Sequence, residues 1–161
     1  MFDKFNVINI KKIFSDENDI LLAYIFGSQL KSKISPLSDY DFAVFLSQEP
    51  SFQFKYKLKN KLVNFLNTGQ VDLVILNNAP IELKYNIIAT GKNIFQKNST
   101  IRTEFEADTL SKYFDYLPIL RTQKKEILKF KPKGEKYGDR IQRYRASLGK
   151  TEEMLDKIRT S

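Results

Sequence analysis

The chain has 161 residues, enough for one domain with a core that buries roughly two thirds of the unfolded surface. It contains no cysteine and no histidine, which excludes disulfides, thiolate or imidazole zinc sites, Ser-His-Asp triads and histidine-based ribonuclease chemistry. Any metal must sit on oxygen ligands, as Mg²⁺ or Mn²⁺ does. The net charge is +8 but uneven, since residues 121–145 hold ten Lys/Arg against three Asp/Glu. Such a surplus attracts nucleotides, nucleic acid or an acidic protein, or is simply the solvated surface of a Lys-rich helix.

The opening segment has no signal-peptide layout and no stretch reaches membrane-spanning length, so a soluble, cytoplasmic protein is expected. Phe5 to Phe14 carries apolar residues at helical spacing and predicts a first helix. Ile20 to Phe26, "ILLAYIF", is a continuous apolar run closed by Gly27 and predicts a buried strand. Residues 28–38 are polar and contain Pro36, which suits a brief helical turn and then a loop. "DYDFAVFL", from Asp39, alternates into a second strand. The segment 51–69 places Phe54, Leu58, Leu62, Phe65 and Leu66 on one helical stripe, with Ser51 as N-cap and Gly69 as stop. "QVDLVIL" predicts a third strand, "PIELKYNIIATG" a helix opened by Pro80 and closed by Gly91, and "NIF" a short fourth strand.

A long helix is expected from Ser99, kinked or broken at Pro118. "KPKGEKYGD" then reads as a polar hinge. Beyond it Ile141, Tyr144, Leu148, Thr151, Leu155 and Ile158 recur at spacings of three and four. That pattern suits a helix that binds a partner or docks on its own domain. The organisation expected is thus a domain over 1–130, a hinge over 131–138 and a C-terminal helix over 139–161.

Two features carry chemistry. Side chains alternate along a strand, so Asp39 and Asp41 point to one side, roughly 7 Å apart. Asp72 opens the next apolar strand, and pairing of the two strands would gather three carboxylates at one sheet end. Like charges so placed are unfavourable unless a positive charge neutralises them, which makes Asp39, Asp41 and Asp72 candidate divalent-metal ligands. Upstream, Gly27-Ser28 turns a strand into a short helix, where backbone N–H groups and the Ser28 hydroxyl suit a phosphate. Lys31 adds charge, and Ser38 joins Gly27, Ser28 and Lys31 as a candidate nucleotide contact. By average residue frequencies, G-S-x10-D-x-D arises by chance in on the order of one in several hundred chains of this length.

This arrangement resembles the polymerase-β-type nucleotidyltransferases, whose signature is Gly-Ser, a spacer, D-x-D on the next strand and a later Asp on a third. The compact layout, with "RTEFEADTLSKYFDYLPIL" after the catalytic unit, is similar to the minimal nucleotidyltransferase (MNT) group. These MntA-like proteins are the antitoxins of type VII HEPN–MNT toxin–antitoxin pairs. The resemblance covers about residues 15–125. It implies an α/β (α+β) fold, a small mixed sheet with helices on one side and a C-terminal helical extension. It also implies ATP as substrate and two Mg²⁺ ions, with Mn²⁺ an option. Asp39 and Asp41 would hold metals on the triphosphate, and Asp72 would complete the second site and help deprotonate the acceptor. The acceptor implied is a tyrosine of the cognate HEPN ribonuclease toxin, which is AMPylated and silenced within a hetero-oligomer. Direct nucleic-acid binding is not favoured. Many members carry an Arg shortly after Gly-Ser where this chain reads "GSQLKSK", which bears on nucleotide affinity and base preference. Two alternatives are an antitoxin that acts by binding alone and a nucleotidyltransferase for a small molecule such as an antibiotic. The latter usually needs a second domain for which this chain has little room.

Overall fold

The structure, a computed structural model, describes residues 4–30 and 39–129, with the backbone alone at 4–7, 29, 128 and 129. The elements run α1 (Lys4–Ser15), β1 (Ile20–Phe26), a single 3₁₀ turn (Gly27–Leu30), β2 (Tyr40–Leu46) and α2 (Phe52–Leu66). They continue as β3 (Val71–Ile75), α3 (Ile81–Thr90), β4 (Lys92–Gln96) and α4 (Ser99–Lys129). The chain divides into two compact units, Met1–Asp115 and Tyr116–Ser161. The expected hinge and C-terminal helix lie outside the described residues.

The four strands form one mixed sheet in the order β3-β2-β1-β4. β1 is antiparallel to both β2 and β4, whereas β2 and β3 run parallel. Parallel neighbours need a crossover, and α2 supplies it. β1 is central and apolar throughout, so both of its faces must be covered. On one face Ile25, Phe42 and Val44 pack with Ile10 and Phe14 of α1 and with Leu58 and Leu62 of α2. On the other, Leu22, Tyr24, Ala43 and Leu76 pack with Ile87 of α3 and Phe105 of α4. A register shift between Ile20 and Leu22 moves the alternation by one, which lets Ile20 and Ala23 share the first layer. The one-sided helix layer implied by the family likeness is therefore corrected: helices cover both faces of the sheet.

The element boundaries follow local chemistry. The Ser51 side chain accepts a hydrogen bond from the Phe54 N–H at 3.1 Å and so caps α2. The helix stops earlier than Gly69 suggested, because Asn67 adopts the left-handed conformation (φ 51°) and its N–H reaches the Val63 carbonyl. Asn tolerates that region better than most residues. At the start of α4, Asn98 Oδ1 accepts from the Ile101 N–H at 2.8 Å, so the cap is Asn98, with Ser99 the first helical residue. The expected break at Pro118 does not occur, and α4 is continuous through it. Proline removes one main-chain donor there. The Thr122 hydroxyl donates to the Pro118 carbonyl at 3.1 Å.

Within the first unit, α4 is fastened by a part-buried polar network and by aromatic contacts. The buried Tyr24 hydroxyl donates to Glu106 Oε1 at 2.9 Å, and Arg102 Nε donates to the same oxygen at 2.8 Å. Burial, then the bond to Glu106, push the Tyr24 hydroxyl well above the usual tyrosine range. The Phe45 and Phe105 rings stand 4.5 Å apart, and Tyr85 stacks on Tyr113 at 3.8 Å. Tyr24→Phe should cost about 1–2 kcal/mol in denaturant unfolding, since it removes a hydrogen bond to a charged acceptor while the ring still fills its site. An unchanged midpoint would show that the network contributes nothing net.

Candidate active site

The ends of three strands build the site. β1 ends where β2 begins, with Phe26 opposite Asp41, and the parallel β2–β3 ladder sets Asp41 opposite Asp72. Two residues 31 positions apart thus become lateral neighbours through backbone pairing alone. Val71 and Leu73 belong to the α1/α2 layer, so Asp72 alternates onto the opposite face. Asp39 lies one residue before β2, at the exposed rim. The neighbouring Tyr40 N–H is held by the Gln70 carbonyl at 2.8 Å, which ties the entry to β2 to the entry to β3.

Gly27 closes β1 at φ +78°, a conformation that side-chain-bearing residues rarely adopt. A Cβ placed on it would overlap Asp41 Oδ2, with Asp41 Cγ only 3.0 Å away. Its lack of a side chain is what leaves room for the Asp41 carboxylate. Ser28 follows, and its hydroxyl donates to the Asp39 carbonyl at a long 3.5 Å. Gly27, Ser28, Asp39, Asp41 and Asp72 thus lie at the same end of the sheet. Lys31 and Ser38 lie outside the described residues.

The electrostatics match a site short of positive charge. The Asp41 carboxyl is pushed above the usual carboxylate range, first by burial, then by Asp72 and Asp39. The repulsion of neighbouring carboxylates is what a bound cation relieves. An all-oxygen donor set in a chain without His or Cys fits Mg²⁺ or Mn²⁺. Among the described residues, no three acidic side chains are gathered as a ready-made metal cage. Asp72 instead pairs with Lys59 of α2, whose Nζ lies 3.5 Å from Oδ1. Sequence reading missed Lys59, because it is one of four lysines in "FKYKLKNKL" and its spacing from Asp72 fits no motif. The only available signal was its place on the helix joining the two Asp-bearing strands.

The family model for polymerase beta nucleotidyltransferases matches residues 8–100, more than half of the chain. The chain belongs to the polymerase-β-type nucleotidyltransferase family. The match spans all four strands and the site just described. No curated protein matches this nucleotidyltransferase by sequence. Solved structures do match it. A chain of a toxin–antitoxin crystallised with AMP-PNP is 25% identical, with a TM-score of 0.69, and the alignment covers 76% of this nucleotidyltransferase and 98% of that chain. The MntA–HepT toxin–antitoxin is similar in fold, at 24% identity and a TM-score of 0.65, over 78% of this chain and 99% of that one. So is a chain from the complex of tri-AMPylated Shewanella oneidensis HEPN toxin with MNT antitoxin, at 24% identity and a TM-score of 0.65 over 78% of this chain and 98% of that one. Among the described residues of this nucleotidyltransferase, no helix is long and apolar enough to cross a membrane.

Proposed function

We propose that this nucleotidyltransferase is the antitoxin of a HEPN–MNT pair, moving AMP from ATP to a tyrosine of its HEPN ribonuclease toxin. The observation that carries the reading is the likeness to the AMP-PNP-bound toxin–antitoxin chain, which this chain spans almost end to end. The lateral register of Phe26, Asp41 and Asp72, with Gly27 close against the Asp41 carboxylate, supports this reading. ATP is the nucleotide substrate and the cytoplasm the setting.

In the reaction the tyrosine oxygen attacks the α-phosphorus, a new O–P bond forms, and the bond to the β-phosphate oxygen breaks to release pyrophosphate. Divalent cations held by Asp39, Asp41 and Asp72 would supply neutralisation of the triphosphate charge and activation of the attacking oxygen. Gly27 lets backbone and carboxylate come close enough to share one ligand, and Ser28 sits beside them as a phosphate contact. A tyrosine hydroxyl titrates near 10, so its proton needs an acceptor at neutral pH, and Asp72 at the exposed rim takes that role. Lys31 and Ser38 complete the proposed nucleotide contacts.

Intact-mass measurement after incubation with ATP, Mg²⁺ and the partner toxin should show mass added in steps of one AMP. Asp39→Ala with Asp41→Ala should abolish the addition. Undiminished transfer by that double variant would remove these residues from the mechanism. A double variant that still neutralises the toxin, while deletion of 135–161 does not, would favour inhibition by docking alone.

A further inference from the structure

Asp72 sits in the outermost strand of the sheet, paired on one side only. Lys59 belongs to α2, which packs through its neighbour Leu58 and through Leu62 on the face opposite Asp72. Its ammonium nevertheless lies 3.5 Å from the Asp72 carboxylate. The result is the one ion pair, among those of the described residues, that involves a candidate metal ligand. Both partners are open to water, at 40% and 67% exposure, so their separation requires no unfolding.

From this we infer that Lys59 is an internal counter-ion of Asp72, a positioning residue that occupies the third carboxylate until a divalent cation takes its place. The inference rests on the proposed metal role of Asp39, Asp41 and Asp72. The ammonium neutralises part of the charge that Asp72 imposes on Asp41 and so stands in for a cation. A divalent ion arriving at the same carboxylate must displace it and also meets its positive charge. Lys59 therefore weakens binding of the bare ion. The incoming triphosphate, strongly negative, offers the displaced ammonium a new partner, so binding of the ion with nucleotide is penalised less.

The test titrates Mn²⁺ alone into the full chain, followed by electron paramagnetic resonance of the free ion, which requires no turnover. Lys59→Met should bind Mn²⁺ about three- to fivefold more tightly than wild type, the scale of a solvent-exposed charge pair. Lys59→Arg, which keeps the charge, should stay within about twofold of wild type. In an Asp72→Asn background the advantage of Lys59→Met should shrink, because the pair is already broken. With ATP present the gap between Lys59→Met and wild type should narrow. Two results overturn the inference, the first leaving its premise intact and the second removing the premise. If Mn²⁺ binding depends on Asp39 and Asp41 but Lys59→Met binds no more tightly, Lys59 is not a competing counter-ion. If Mn²⁺ binding survives Asp39→Ala with Asp41→Ala undiminished, the metal site is misplaced and the inference falls with it.

Discussion

Gly27→Ala is expected to cut AMP transfer by about 10²-fold or more and to cost about 1–3 kcal/mol of stability. Two penalties add. The backbone stands at φ +78°, where alanine is strained. The new methyl would also overlap Asp41 Oδ2, so the carboxylate must leave its position. The second penalty is the one that reaches the chemistry, since a displacement of about 1 Å at a reacting centre is enough to lose two orders of magnitude. The two can be separated by combining Gly27→Ala with Asp41→Ala. Without the carboxylate only the backbone strain remains, so the double variant should be more stable than the sum of the single changes predicts. Strict additivity in denaturant unfolding would show that Gly27 and Asp41 do not meet.

Asp41→Asn should move activity and stability in opposite directions. Transfer should fall by about 10³-fold if Asp41 holds a metal as proposed, because such a carboxylate contributes several kcal/mol of transition-state stabilisation. Stability in chelator at neutral pH should rise. The folded state raises the Asp41 pKa, through burial first and then Asp72 and Asp39, so it holds this proton more tightly than the unfolded chain. Stability is then favoured at low pH and declines as pH rises from the ordinary carboxylate range through the raised value. Above that window the whole penalty is present, and the amide avoids it. The advantage of Asp41→Asn should therefore vanish in acid and should narrow when Mg²⁺ is added, since an ion bound at the proposed site would stabilise the folded wild type. A variant that melts below wild type in chelator at neutral pH would show that ionised Asp41 is not a cost to the fold.

These opposed effects explain why one part of the site was legible from sequence and another was not. Carboxylates at the start of an apolar strand conflict with local preference, and such conflicts gather where function outweighs stability. Asp39, Asp41 and Asp72 stood out for that reason, and Gly27-Ser28 gained meaning only through its spacing from them. Lys59 creates no conflict. It is an exposed lysine on a lysine-rich helix, and nothing in its neighbourhood along the chain marks it. Cap positions were equally hard to read. Asn67 took the role that Gly69 suggested, and Asn98 caps the helix that begins at Ser99 as expected, because several polar residues near a helix end compete for one cap and only the backbone path selects among them. Pro118 was overrated as a breaker: it sits inside a continuous α4.

Read alone, then, the sequence determined the type and order of the elements among the described residues and the family, and it singled out the residues of the candidate site. Apolar periodicity dictates element type locally, and the absence of His and Cys leaves oxygen ligands only. Tertiary structure decided what depends on pairing between distant segments. It made β1 central and so required helices on both faces. The β2–β3 register brought Asp72 beside Asp41, and the packing of α2 on the sheet brought Lys59 to Asp72. Register and helix packing belong to the assembled fold rather than to any one segment, and for that reason the counter-charge at this site could not be found from the residues in order.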